Sequence, residues 1–300
     1  MSEIDHSGFL NVDKPLHYTS HDVVALVRRR YRELTGAKKV GHAGTLDPLA
    51  SGVLILCLGK ATRLSEYIMP GRKSYRASVI LGRTSSTYDS GGELSERQAE
   101  TASIDLADIR KAITPFIGEI LQVPPMYSAI KVKGRKLYEL ARQGQSIEVE
   151  PRPVRIDSIN ILHWNDPLLE LDVICSAGTY IRSLAHDLGQ ALGVGAYLSG
   201  LQRRASGQFA LGDSVALETL LDEEDWWRHI IPPHVALADQ TCVTLSKDEL
   251  SRIQNGRTIA RRPGLDAERV FAFTCDKRLA AVLVPQDAHW KPHKVFLDQS

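Results

Sequence analysis

Six consecutive apolar residues, Val53-Leu54-Ile55-Leu56-Cys57-Leu58, follow directly on a stretch that holds three glycines, Gly41-His42-Ala43-Gly44-Thr45-Leu46-Asp47-Pro48-Leu49-Ala50-Ser51-Gly52. Apolar residues at every position, on both faces of an extended chain, are the pattern of a central buried strand. Such a strand needs a sheet around it, and the glycines before it permit tight bends at the point where the chain enters. The run is far short of the roughly 20 apolar residues that span a bilayer.

The remaining periodicities supply the rest of a sheet and its cover. Gly8 to Lys14 reads as a strand ended by Pro15, which disfavours helix at Lys14. A helix follows, with Ser20 as its expected cap, Val23, Val24, Val27, Tyr31 and Leu34 on one face, and Gly36 as its stop. Ser74 to Leu81 alternates like a strand, and Ile104, Leu106, Ile109, Ile113 and Phe116 mark an amphipathic helix. Strands are predicted again at Val154 to Leu162 and at Leu168 to Ser176. The next helix carries Ile181, Leu184, Ala185, Leu188 and Leu192 on one face, with Thr179 as its expected cap and Gly193 as its end. This mixture of antiparallel-looking strands with helices predicts an α+β fold, a mixed and largely antiparallel central sheet flanked by helices, rather than regular βαβ alternation.

A length of 300 residues suggests two domains, and a boundary is expected near Ile230-Ile231-Pro232-Pro233. The catalytic-size part is thus 1–232, with a Pro-bounded, basic insertion at 124–152. The remainder, 233–300, reads as a small β-rich module. It has a strand at Cys242 to Leu245, a helix with the capping box Ser246-Lys247-Asp248-Glu249, a hairpin of Arg269 to Thr274 with Leu279 to Val284, and a last strand at Lys294 to Leu297.

Charge is balanced overall, 37 Lys and Arg against 36 Asp and Glu, so no bulk field draws the chain to nucleic acid or membrane. Local asymmetry exists nonetheless. Arg28 to Lys39 holds six bases and one acid, and 124 to 155 holds seven bases and three acids. Each run is either a solvated face or a phosphate-binding surface. The polar N-terminus and the lack of a long apolar run point to a soluble, cytoplasmic protein. The four cysteines at 57, 175, 242 and 275 lie in or beside apolar runs without a C-x-x-C pair, which predicts reduced, mostly buried thiols. The histidines show no ligand spacing with a carboxylate partner, so no metal site is expected.

Two motifs carry chemistry. Asp47 stands directly before Pro48, a signature either of a helix cap or of a carboxylate held in a glycine-rich loop on a rigid scaffold. Gly178-Thr179-Tyr180-Ile181-Arg182-Ser183 places Arg182 on the first turn of a helix, where it is either a surface residue or the partner that a buried Asp47 requires. With these residues the sequence resembles the bacterial tRNA pseudouridine synthases of the TruB type, which isomerise uridine 55 of tRNA. The resemblance extends through Gly8 to Pro15, the Gly41 to Gly52 loop, Lys73-Ser74-Tyr75-Arg76, Val123 to Lys131, Gly178 to Arg182 and Leu198 to Arg204, in the family's order.

The resemblance implies the pseudouridine synthase fold, a PUA-like RNA-binding C-terminal module, and a reaction with neither cofactor nor metal. It makes Asp47 the nucleophile, Arg182 its ion-pair partner, and Tyr75 the ring that stacks on the target base. It places Tyr180 and Leu201 in the uracil pocket, His42 near an everted nucleotide, and Lys14 among the substrate-binding residues. Tyr180 is either an acid/base or a wall of the pocket, and Tyr75 read without the family is equally a cross-strand packing residue. Asp47 acts either on the ribose C1′ or through C2′ deprotonation and a glycal. The implied partner is the T-arm of tRNA, gripped in part by the insertion as a thumb, with a monomeric enzyme and neither guide RNA nor membrane. Two other readings stay open: a guide-dependent subunit of a ribonucleoprotein, and a non-catalytic RNA-binding module in which Asp47 is only a cap.

Overall fold

The computed structural model describes residues 6–297 except 98, 129–130, 133–134, 138–139, 141–142, 144–146 and 148. The α+β expectation holds. Strand β1 (Gly8–Lys14) leads into helix α1 (Ser20–Thr35), then β2 (Val40–His42), β3 (Ala50–Leu58) and β4 (Lys73–Leu81). Helix α2 (Leu106–Ile113) and β5 (Gly118–Gln122) precede the insertion, and β6 (Arg152–Asn165), β7 (Leu168–Cys175), α3 (Ile181–Ala191), β8 (Ala196–Ser206) and β9 (Val215–Ala216) follow it.

These strands form one sheet in the order β9-β1-β3-β8-β4-β7-β6-β5, with β2 paired to the side of β3. Antiparallel pairs dominate. The exceptions are β1 with β9 and the short ladder in which Leu201, Gln202 and Arg203 of β8 run parallel to Ala50, Ser51 and Gly52 of β3. That three-residue ladder is where the two halves of the sheet meet.

The six apolar residues of β3 divide as a pleated strand dictates. Leu54, Leu56 and Leu58 join a core with Val23, Val24 and Val27 of α1, Ile109 and Ile113 of α2, and Leu184 and Leu188 of α3. Val53, Ile55 and Cys57 point the other way, into a second core shared with Phe271, Phe273, Val282 and Phe296 of the C-terminal region. Both faces of β3 are thereby dry.

The C-terminal region forms its own sheet. Its strands β10 (Cys242–Thr244), β11 (Ile259–Ala260), β12 (Val270–Phe273), β13 (Leu279–Gln286) and β14 (His289–Val295) are ordered β10-β12-β13-β14-β11, with helix α4 (Lys247–Gln254) packed beside them. The predicted last strand starts earlier than expected, at His289, because it pairs with β13 as a hairpin. The capping box at Ser246 and Glu249 is present.

Three caps differ from the sequence reading. Helix α1 is capped by Thr19, whose hydroxyl accepts from the Asp22 amide while Asp22 reaches back to the Thr19 amide. Ser20 is one residue inside and is used elsewhere. Helix α3 begins after Tyr180, with no side-chain cap, and Thr179 lies outside the helix. No helix follows Asp47-Pro48: the Ala50 amide donates to the Asp47 carbonyl at 3.0 Å, a turn that feeds β3 directly. Cys57 and Cys175 are buried as expected, but Cys242 and Cys275 are exposed, because they lie at the rim of the C-terminal sheet where strands end. No helix among the described residues is long and apolar enough to cross a membrane.

Candidate active site

The loop that carries Asp47 lies at the junction of β3 and β8 and is tied down on two sides. Ser20 Oγ accepts from the Leu46 amide at 2.8 Å and donates to the Leu46 carbonyl at 3.0 Å, fixing the loop to α1. Arg203, 2% exposed, donates through Nε to the Val53 carbonyl at 2.7 Å and through Nη2 to Gly44 at 3.1 Å. Glycine is required at 52: φ is +97°, and a Cβ there would meet the Arg203 carbonyl oxygen at 2.3 Å.

Arg182, the second residue of α3, reaches across to this loop. Its Nε lies 3.0 Å from Asp47 Oδ2, its Nη1 3.3 Å from Asp89 Oδ2, and its Nη2 donates to the Tyr127 carbonyl at 2.9 Å. All three faces of the guanidinium fork are therefore used, in a setting where Arg182 is 6% exposed. Asp47 is the open member of the cluster, with 35% of its side chain exposed. Asp89 is held in turn by Thr87 Oγ1 at 2.6 Å and the Gly91 amide at 2.9 Å.

An adjacent arginine alone stabilises a carboxylate, yet Asp47 is pushed up from its usual range. Burial is the largest cause, Arg182 and Lys14 oppose it, and Asp89 adds to it. The loop's dryness outweighs the ion pair because the one guanidinium is divided between two acids.

The other candidate residues gather around this cluster to different degrees. Leu201 pairs with Ala50 on one side and Ala77 on the other, so it lines the sheet next to the loop. Tyr75, two residues before Ala77 on β4, is largely buried, and burial raises its phenol with Arg203 opposing. Tyr180 precedes Arg182, and burial raises its phenol as well, with Ser128 and Arg182 opposing. His42 ends β2, and its buried Nδ1 has no hydrogen-bond partner among the described residues. Burial lowers its pKa, and His21, 6.0 Å away edge to face, adds to the effect.

Lys14 is not available to a ligand. It is fully buried, and its ammonium donates to the carbonyls of Pro15 at 2.8 Å and Tyr18 at 2.7 Å. Burial lowers its pKa to about 8, with Asp47 the main opposing influence. It pins the turn beside the Asp47 loop, and the His17 amide in that turn donates to Pro48 at 2.8 Å.

Sequence reasoning missed Asp89, Arg203, Ser20 and Gln122 as site residues. The cluster Ser85-Ser86-Thr87-Tyr88-Asp89-Ser90-Gly91-Gly92 is a turn signal around one acid, which marks Asp89 as a loop-held carboxylate. Arg203, between Gln202 and Arg204 on its strand, gives no such signal, and its burial comes from the fold. The lysines and arginines of the insertion between 129 and 148, on which the expected thumb's grip rests, lie outside the described side chains; among its described residues are the short pairing of Lys131–Val132 with Arg135–Lys136 and the buried Leu137 and Leu140. No group of metal-ligating side chains occurs among the described residues.

A buried arginine clamps a loop-borne, half-open aspartate at the seam of a mixed sheet. Comparison gives it a family. Residues 32–181, half of the chain, match the TruB family pseudouridylate synthase N-terminal domain, and residues 182–237 match the tRNA pseudouridylate synthase B C-terminal domain. The chain belongs to the TruB family of pseudouridylate synthases, which are isomerases.

Among its relatives are two proteins named tRNA pseudouridine synthase B. That of Dehalococcoides mccartyi strain 195 is 43% identical over 97% of both chains, and that of Synechocystis sp. is 48% identical over 84% of this chain and 85% of its own. Among solved structures, a Cbf5-Nop10-Gar1 complex matches with a TM-score of 0.74 at 28% identity, covering 97% of this chain and 85% of that one. An H/ACA RNP bound to a substrate RNA containing 2′-deoxyuridine matches at 0.73 and 26%, covering 98% and 86%.

Proposed function

We propose that the protein converts uridine 55 in the T-loop of tRNA to pseudouridine, acting alone on the T-arm, with an everted uridine and Asp47 as nucleophile. The observation that carries this reading is the Asp47–Arg182 pair, 3.0 Å apart, with the acid partly open and the base enclosed. The carboxylate can meet a ribose while its counter-charge is shielded from water.

The chemistry moves the C1′ bond of uracil from N1 to C5. Asp47 either attacks C1′ or takes the C2′ proton to leave a glycal, and in either route the N1 bond breaks. The freed uracil anion turns, C5 bonds to C1′ as the Asp47–C1′ bond breaks or the C2′ proton is returned, and the C5 proton leaves while N1 gains one. The base must stay enclosed throughout. Leu201 and the rings of Tyr75 and Tyr180 supply apolar walls, and an aromatic ring returns about 1–3 kcal/mol of the stacking lost when the base leaves the helix. His42 borders the nucleotide, and Lys14 shapes the loop from below rather than touching substrate. The division into a catalytic unit, 1–232, with a thumb at 124–152 and a PUA-like RNA-binding unit, 233–300, belongs to the same reading.

A guide-independent activity is supported by relatives named tRNA pseudouridine synthase B at 41–48% identity, against 26–28% for the Cbf5 and H/ACA structures. The test is incubation of the purified monomer with unmodified tRNA, without guide RNA or added metal. Pseudouridine at position 55 is expected from the wild type. Asp47→Asn is expected to form none while its tRNA affinity stays within about tenfold, since the substitution removes the nucleophile and leaves phosphate contacts intact. Turnover by that variant at near wild-type rate overturns the assignment, and binding without conversion by the wild type returns the protein to a binding module.

A further inference from the structure

We infer that Gln122 is a positioning residue for this reaction: its side-chain amide fixes the Tyr180 peptide and ties the root of the insertion to the active site. The inference rests on the placement of Tyr180 in the uracil pocket proposed above.

Gln122 is the last residue of β5 and is 2% exposed. Its Nε2 donates to the Tyr180 carbonyl at 3.0 Å, and its Oε1 accepts from the Tyr180 amide at 2.8 Å. One side chain thus satisfies both backbone groups of one residue, 58 positions away in sequence, in the manner of a strand partner. Tyr180 needs this. It is the residue before α3; its carbonyl also accepts from the Leu184 amide at 3.1 Å, but it has no side-chain cap and Gly178 before it adopts φ +87°, so Gln122 is what holds its amide.

The contact is not isolated. Ser183 Oγ donates to the Val123 carbonyl at 2.8 Å, and Arg182 Nη2 donates to Tyr127 at 2.9 Å. Residues 122, 123 and 127, which lead into the insertion, therefore grip residues 180, 183 and 182 of the α3 N-terminus. Gln122 is the member of this set whose bonds go entirely to a pocket residue. A side-chain amide meets a peptide N–H and C=O together through two separate atoms, one a donor and one an acceptor, as a neighbouring strand would. A carboxylate at 122 keeps the acceptor but turns lone pairs toward the Tyr180 carbonyl, and a methionine keeps the volume but neither bond.

The experiment measures single-turnover conversion at saturating unmodified tRNA, the tRNA dissociation constant and the melting temperature for the wild type, Gln122→Glu, Gln122→Met and Gln122→Asn. Glu and Met variants are expected to lose about tenfold or more in the single-turnover rate, the scale set by misplacing a group at the reacting centre, with tRNA affinity within about threefold. Gln122→Asn, which keeps the amide one methylene back, is expected between them and the wild type. The Asn variant also serves if either of the others fails to fold. Rates within about threefold of wild type for the Glu and Met variants overturn the inference. So does a parallel fall of rate, affinity and melting temperature, which marks a strut and not a positioning group. A wild-type chain that converts nothing overturns the function reading and this inference with it, whereas conversion by the wild type matched by Gln122→Glu overturns this inference alone.

Discussion

At the scale of the residue, the site turns on how one guanidinium is divided between two acids. Asp89 is held by its own loop, so it keeps its share of Arg182 whatever Asp47 does, and its charge pushes the Asp47 pKa further up. The acid limb of the rate profile is therefore expected above the usual carboxylate range. In Asp89→Asn the second negative charge is gone, and the limb is expected to move to lower pH, as single-turnover rates measured across pH 4.5–7 by steps of about half a unit would show; a limb that stays in place removes Asp89 from the electrostatics of Asp47. The sign for stability is set by the same shift. A carboxyl that binds its proton more tightly folded than unfolded loses stability as pH rises through its folded pKa. Asp47→Asn is thus expected to melt higher than wild type at pH 7, with the advantage vanishing below the usual carboxylate range. An equal difference at pH 3.5 and pH 7 contradicts the raised pKa.

At the scale of the element, neighbouring hydroxyls at the start of α1 have separate duties. Thr19 caps the helix, and Ser20 bonds both backbone groups of Leu46, one residue before Asp47. Thr19→Ala is expected to cost about 1 kcal/mol of stability with little change in rate. Ser20→Ala is expected to lower the single-turnover rate severalfold at a similar or smaller stability cost, because it frees the loop that aims the carboxylate. Chemical denaturation and single-turnover assays on both variants check the separation, and identical behaviour would merge the two roles.

This pair also shows how far sequence carries. The period of Val23, Val24, Val27 and Tyr31 located α1, and Gly36 located its end, since those signals are local. Which of two adjacent hydroxyls caps it depends on where Leu46 lies, and that is a tertiary fact. Asp47 and Arg182 were legible as a charge in a glycine-rich loop and a base on a first helical turn. The roles of Asp89, Gln122 and Arg203 were not, because no spacing rule connects them to their partners: Arg182 is 93 positions from Asp89, Tyr180 is 58 from Gln122, and Val53 and Gly44 are 150 and 159 from Arg203. Asp47-Pro48 left a helix cap and a loop-held carboxylate both open, and only the fold separates them: the Ala50 pairing with Leu201 draws the chain straight into β3.

At the scale of the whole molecule, the β-rich C-terminal region is not an appendage. Phe271 and Phe273 of β12 join Phe9, Val53, Ile55 and Cys57 in one buried cluster. Around it Arg63 donates to the Val295 carbonyl at 2.6 Å and stacks over Phe296 at 4.6 Å, while Lys294 donates to the Arg63 carbonyl at 2.8 Å and pairs with Glu66. The strand that delivers Asp47 therefore has its back face covered by the second sheet, and the stability of that strand depends on it. Phe271→Ala empties a site that is 1% exposed and edge to face with Tyr67 at 5.3 Å, which is expected to cost about 3–5 kcal/mol. If the two sheets unfold as one body, amide hydrogen exchange in β3 and in β12 falls in protection by the same amount in this variant. Loss confined to β12 would make the C-terminal sheet an independent unit. Shared loss means instead that truncating the C-terminal sheet exposes Val53, Ile55 and Cys57, so an activity defect in such a truncation reports a loosened Asp47 loop whatever else the sheet does.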